Sequence, residues 1–152
     1  MKKSPLKRRT PFKKRSVRAY KPRRATKRSE GASFLKKKLD GVFSQYIRLR
    51  DKGVCFTCGV VKPWKEQQNG HYISRAHNSL RFDERNCHCQ CVSCNVFRHG
   101  NMDVYALRLL ETYGNGILEE LNREKQKIKQ FTPQELKDLI AYYQQKIETY
   151  LL

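Results

Sequence analysis

Cys55-Phe56-Thr57-Cys58-Gly59 and Cys91-Val92-Ser93-Cys94, with 32 residues between Cys58 and Cys91, are two C-x2-C pairs, and their reading decides the fold. A two-residue spacer lets both thiolates of a tight turn point at one ion, and Gly59 relieves the backbone just after the second sulfur. Two such turns complete a tetrahedral Zn2+ site of the structural, closed kind, with Cys55, Cys58, Cys91 and Cys94 as ligands. The long separation suits a zinc-held hairpin followed by a helix start rather than a single finger. Disulfides are the competing reading, and they fit poorly with the cytosolic residence expected below. Cys87, Cys89 and Cys91 alternate, so on a strand they share one side, with His88 opposite. Cys87 or Cys89 could therefore replace Cys91. Cys91 is preferred because its spacing to Cys94 repeats that of the first pair. The residues between the pairs have a thin apolar inventory, and metal binding of order 10 kcal/mol would help hold them folded.

Around this centre the chain is short and strongly basic. It has 152 residues with 33 Lys and Arg against 14 Asp and Glu, a net charge of +19. That balance disfavours an enzyme of acidic metabolites and points to a polyanionic partner. Residues 1–29 carry 14 of the bases and no acid, with Pro5, Pro11 and Pro22 among few apolar groups. Such a segment cannot bury enough surface to offset the entropy of ordering, so it reads as a disordered arm. Lys13, Lys14, Arg15, Arg23 and Arg24 are its candidate DNA contacts. A charged solubilising tail or targeting segment is the blander reading. The basic N-terminus lacks the apolar stretch of a secretory signal, and no run approaches the roughly 20 residues of a membrane span. The expectation is a cytoplasmic protein with no membrane partner and no small-molecule substrate.

Hydrophobic periodicity predicts a helix over 33–52, with Leu35, Leu39, Val42, Phe43, Tyr46, Ile47 and Leu49 at helical spacing and Gly53 as its stop. Short strands and loops fit 54–86. One or two short helices broken near Gly100 fit 95–113, with Asn101 or Asp103 as a cap. A polar helix is expected over 116–130. Thr132, Pro133 and Glu135 then form a capping-box start for a helix striped by Leu136, Leu139, Ile140, Tyr143 and Ile147. The last two helices are expected to form a hairpin whose stripe buries against the core, within the pair, or against a second subunit.

Between and after the cysteine pairs lies a polar cluster with no evident structural purpose: Asn69-Gly70-His71-Tyr72-Ile73-Ser74-Arg75, the run Leu80 to Asn86, then Asn95 and His99. If Cys94 opens a helix, Asn95 and His99 lie one turn apart on one face. A His on the preceding hairpin could face them. A metal-dependent phosphodiesterase needs this layout, with one imidazole to take a proton from water and a hard cation to stabilise the departing oxygen.

The run from Val42 to Asn101 resembles the phage NinG/Rap recombination endonucleases. The resemblance is carried by Val42 to Arg50, by Gly70-His71-Tyr72-Ile73-Ser74-Arg75, by Leu80-Arg81-Phe82 through Asn86, and by Gln90-Cys91 to Asn95. More remotely the chain is similar to a zinc-bearing HNH (ββα-metal) nuclease of the phage endonuclease VII type. The resemblance implies that His71 is the general base, that Asn86 shapes the loop between the strands, and that Asn95 binds a catalytic Mg2+ or Mn2+. Many such nucleases place an acid before the first His as a second metal ligand, and Gly70 stands there instead. Either Asn95 holds the ion with waters, or His99, Asp83 or Glu84 assists. Arg75 and Arg81 are candidates to hold the scissile phosphate, since Arg offers planar bidentate donors.

The expected fold is α+β: a small zinc-stabilised ββα-metal, treble-clef-type core over 30–113 with a leading helix, and a C-terminal helical hairpin over 114–152. The expected function is cleavage of branched DNA of the Holliday-junction or D-loop type by a homodimer, with the helix at 33–52 and the C-terminal stripe, extended by Tyr150 and Leu151, as candidate interfaces. A non-catalytic zinc module that binds nucleic acid is the alternative.

Overall fold

A computed structural model describes residues 31–152, and the expected basic arm lies outside the described residues, with Lys13, Lys14, Arg15, Arg23 and Arg24. Its architecture is α+β, four helices around one two-stranded sheet. Helix α1 spans Ala32–Arg50, and the predicted stripe becomes its buried face, through Leu35, Leu39, Phe43, Tyr46, Ile47 and Leu49. Lys52 and Gly53 then turn the chain with positive φ of 52° and 68°. A side chain at Gly53 would collide with the Lys62 carbonyl, so only glycine fits this stop.

Strand β1 (Gln68–His71) pairs antiparallel with β2 (Cys87–Gln90) in the register Gln68 opposite Gln90 and His71 opposite Cys87. After β2, residues Ser93–Phe97 form a π-helical turn whose widened pitch shows in the bond from Arg98 N–H to the Ser93 carbonyl, 3.0 Å. Helix α2 spans Met102–Tyr113, so the break near Gly100 is present. Asn101 stands at the N-cap, but with φ at 50° and without a side-chain capping bond, so it turns the chain rather than capping it. Helix α3, Ile117–Lys125, is shorter than predicted.

Helix α4 (Pro133–Leu151) begins with the predicted capping box: Glu135 N–H donates to Thr132 Oγ1 at 3.2 Å and Thr132 N–H to Glu135 Oε2 at 2.7 Å. The expected C-terminal hairpin does not form as a unit. Leu136, Ile140, Tyr143 and Ile147 pack on α1, with the Tyr143 ring 4.9 Å from that of Phe43. α3 instead joins α2, Ile73 and Leu80 in a second cluster through Ile117 and Leu121. The α4 stripe is thus covered within one chain, because α1 presents a complementary apolar face of matching length. No helix among the described residues is long and apolar enough to cross a membrane.

Candidate functional site

The two C-x2-C turns converge. The Sγ atoms of Cys55, Cys58, Cys91 and Cys94 all lie within 4.8 Å of one another, and those of Cys58 and Cys91 are 3.7 Å apart. Metal–sulfur bonds of about 2.3 Å in a tetrahedron place sulfurs about 3.8 Å apart, so the cluster has the size to hold a metal such as zinc. The first turn is tied by Gly59 N–H to the Cys55 carbonyl at 2.8 Å and Cys55 N–H to the Val60 carbonyl at 2.9 Å. Burial opposes ionisation of Cys55, yet the Thr57 hydroxyl and the backbone N–H groups of Cys91, Cys58 and Thr57 outweigh it and bring this thiol down to about 6. Cys87 and Cys89 stand outside the cluster. Both are fully buried in the core, and burial raises their thiol pKa. Cys91 is therefore the member that partners Cys94.

The β1–β2 hairpin and the π-helical turn meet at a cleft of about 500 Å3 lined by Asn69, His71, Tyr72, Ser74, Arg75, Asn95, His99, Gly100 and Met102. His71, Arg75, Asn95 and His99, four of the residues singled out by sequence, are brought together there. His71 ends β1, and its Nε2 lies 3.2 Å from the Arg81 carbonyl oxygen. A carbonyl only accepts, so this pairing assigns the proton to Nε2 and leaves Nδ1 with the basic lone pair. Burial of the ring holds its pKa below the ordinary imidazole range. The charges of Arg75 and Arg81 act in the same direction, against the carbonyl bond and Asp40. Asn95 is oriented by a 2.6 Å bond from its Nδ2 to Gln68 Oε1, which leaves its Oδ1 as the acceptor available to a cation. His99 is exposed at the cleft edge with φ at 49°.

Asn86 is fully buried behind the cleft. Its Oδ1 accepts from Ile73 N–H at 2.7 Å, and its Nδ2 donates to the carbonyls of Ile73 at 2.8 Å and Leu80 at 3.1 Å. One amide thus ties both ends of the loop that returns from β1 toward β2.

Three candidates lie elsewhere. The Arg81 fork is closed on Asp40, at 2.8 Å from Nε and 2.6 Å from Nη2, and its Nη1 donates to the Arg75 carbonyl. A guanidinium so committed is a scaffold for the loop rather than a free phosphate holder. Asp83 is paired with Arg85, and Glu84 with Tyr46, Lys146 and Arg50. Neither carboxylate lines the cleft.

Gly70 has a steric explanation. A Cβ there would run into the side-chain amide of Gln90, which is fully buried and tied by Nε2 to Thr57 Oγ1 at 3.2 Å and to the Gly100 carbonyl at 2.8 Å. An acid at this position would have to evict Gln90. Sequence reading assigns no structural role to Gln68, which positions Asn95, or to Gln90, which fills the space above Gly70 and figures only in the family resemblance. Their only sequence signal is a pair of amides flanking the hairpin.

Comparison with known proteins follows the same residues. The family model described as "Bacteriophage Lambda NinG protein" matches residues 1–150. Among curated proteins, the chain is 35% identical over 118 residues to "Protein ninG" of Salmonella phage P22, covering 76% of this chain and 57% of that protein. It is 33% identical over 118 residues to the proteins of the same name in Escherichia phage 933W and Escherichia phage lambda, again over 76% of this chain, and over 58% and 57% of theirs. The chain thus spans little more than half the length of these relatives. No solved structure matches it.

Proposed function

The chain belongs to the bacteriophage lambda NinG family, and from that premise we propose that it is a metal-dependent DNA endonuclease that cuts branched DNA of the Holliday-junction or D-loop type in phage recombination. The observation that carries the reading is the single cleft that gathers His71, Arg75, Asn95 and His99 beside a four-cysteine cluster. In this reading the β1–β2 hairpin and the π-helical turn are an HNH-like ββα-metal unit. The four thiols, a soft donor set with neither imidazole nor carboxylate, hold a structural Zn2+.

The roles follow from donor chemistry. His71 takes the proton from a water at Nδ1, its ring fixed by the Arg81 carbonyl. The water oxygen attacks phosphorus, and the bond from phosphorus to the leaving oxygen breaks. Arg75 pairs with the scissile phosphate, having no ion-pair partner among the described residues. Asn95, with His99 as second ligand, would hold Mg2+ or Mn2+, which supplies positive charge for the leaving oxygen. Asn86 keeps the loop in place.

The test is a cleavage assay on four-way, forked and D-loop DNA, with linear duplex as control. Divalent-dependent cleavage should drop at least about 10²-fold in His71→Ala while junction affinity is kept. Asn95→Ala should be inactive or need far more divalent ion. Undiminished cleavage in both variants moves the active site elsewhere. Binding with no cleavage by the unaltered protein makes it a non-catalytic zinc module. Protein purified without added metal should carry about one zinc per chain, and Cys58→Ser should unfold or aggregate. A folded, zinc-free Cys58→Ser protein would remove the structural role.

A further inference from the structure

A second cleft, of about 600 Å3, adjoins the first and shares Ser74 and Arg75 with it. Its other wall is the first two turns of α1, through Ser33, Lys36, Lys37 and Asp40. The charge of this groove is one-sided. Asp40 is the only carboxylate lining it, and its two oxygens are taken by Arg81. That pair is neutral. Lys36, Lys37 and Arg75 remain, and none of them is in an ion pair among the described residues. Lys36 reaches only the neutral Asn78 Oδ1 at 3.4 Å, while Lys37, Ser74 and Arg75 are exposed.

Three cations along a groove that opens into the His71 cleft are poorly explained by folding. Mutual repulsion opposes their grouping, and no acid offsets it. Arg75 sits where the two clefts join. The chain also enters the described fold at Gly31, two residues before Ser33, so the base-rich residues 1–29 precede the far end of this groove in sequence. The whole line, from His71 through Arg75 to Lys36 and Lys37, is a path for polyanion. Apolar lining is confined to Ala76, so the groove has little to offer a base or an apolar peptide side chain.

We propose that the groove between α1 and the Ser74–Ala76 turn carries the phosphodiester backbone of the DNA strand being cut, with Lys36 and Lys37 contacting phosphates beyond the one held by Arg75. This rests on the reading of the His71 cleft as the cleavage site, and it adds a surface to that site. Lys36 and Lys37 position the strand and take no part in the bond-breaking chemistry. Such contacts hold a strand in register without reading its sequence.

Each phosphate neutralised by a lysine releases counterions, so the slope of log affinity against log salt counts the contacts. The full chain is titrated against a four-way junction and a linear duplex in EDTA, which prevents cleavage, between about 50 and 200 mM NaCl. Lys36→Ala with Lys37→Ala should flatten the slope by about 2 and lower affinity at least about 10-fold at the low-salt end, with no change in circular dichroism. The exposed Lys37→Glu, which cannot disturb the core, should lower affinity further than Lys37→Ala. Zinc content and Mn2+ binding should be unaltered in all three. An unchanged slope and affinity in both lysine variants, with the unaltered protein binding and cutting normally, overturns the groove and leaves the nuclease reading standing. An unaltered protein that shows no salt-dependent DNA binding at all overturns both.

Discussion

At the scale of single residues, two positions decide the chemistry of the cleft. At His71, burial and the charges of Arg75 and Arg81 disfavour the protonated form and hold the pKa below the ordinary imidazole range. A general base works in its unprotonated state, so the sign is fixed: cleavage should rise with pH through a midpoint below the ordinary imidazole value of about 6.5 and stay level above it. Single-turnover rates measured from about pH 5 to 8 check this, and a rising limb centred above 7 would speak against His71 as the base. Gly70 is the second position. Gln90 lies over its Cα, held by bonds to Thr57 and Gly100, so Gly70→Ala must displace a buried amide. The expected cost is about 1–3 kcal/mol, read from urea unfolding, and Gln90→Ala in the same chain should return part of it by making room. If Gly70→Ala is neutral, Gln90 does not fill that space in solution. The roles of Gly70 and Gln90 were not legible in the sequence. The requirement for glycine comes from a side chain on the partner strand, and the Arg81–Asp40 pair joins residues 41 positions apart. That His71 and Asn95 share one cleft was legible as an expectation, because each sits in a local pattern with a chemical meaning.

At the scale of elements, what could be read locally was read, and what depends on a partner was not. The C-x2-C turns converge as their spacing implies, since two residues between thiols leave few turn geometries. The capping box at α4 is likewise local, and Thr132→Ala should lower stability by about 1 kcal/mol, measurable as a shift in the urea midpoint at unchanged slope. The Glu135 half of the box accepts the Thr132 N–H and pairs with Lys129, which together bring its carboxyl down to about 2. A depressed acid stabilises above its unfolded value of about 4.3 and ceases to do so as pH falls through the folded one. The urea midpoint of the unaltered chain should therefore fall in strong acid more than that of Glu135→Gln, and parallel falls would mean that the hydroxyl alone caps the helix. Packing partners were harder to read. A helical stripe says that one face is buried, not by what, and nothing local links α4 to α1 across the intervening 82 residues. The short α3 was over-extended for the converse reason. Residues 126–130, polar but for the exposed Ile128, suit a helix, but they end in loop where no apolar face remains to dock.

At the scale of the whole molecule, the covering of α4 by α1 changes the argument for assembly. Paired cuts across a branched DNA require two active sites related by approximate two-fold symmetry, and the described chain holds one His71 cleft. A C2 dimer supplies the second in matching geometry. The α4 stripe cannot be its interface, because Leu136, Ile140 and Tyr143 are at most 5% exposed within one chain. A charged residue at Ile140 should therefore unfold the protein rather than yield monomers. Beyond the covered stripe, the same helix leaves Tyr142, Tyr150 and Leu151 46–60% exposed, as apolar surface for a second copy. We expect light scattering at micromolar concentration to give twice the 18.0 kDa chain mass when the protein is free, and two chains per four-way junction when it is bound. Tyr150→Glu with Leu151→Glu, both on the exposed last turn, should leave the circular dichroism and zinc content intact. It should halve the mass and turn paired cuts into single nicks, because each cleft is complete within its own chain. A monomer mass both free and on the junction would show that the second cut is made by a second, independent binding event; retention of paired cuts by a folded monomeric variant would show the same.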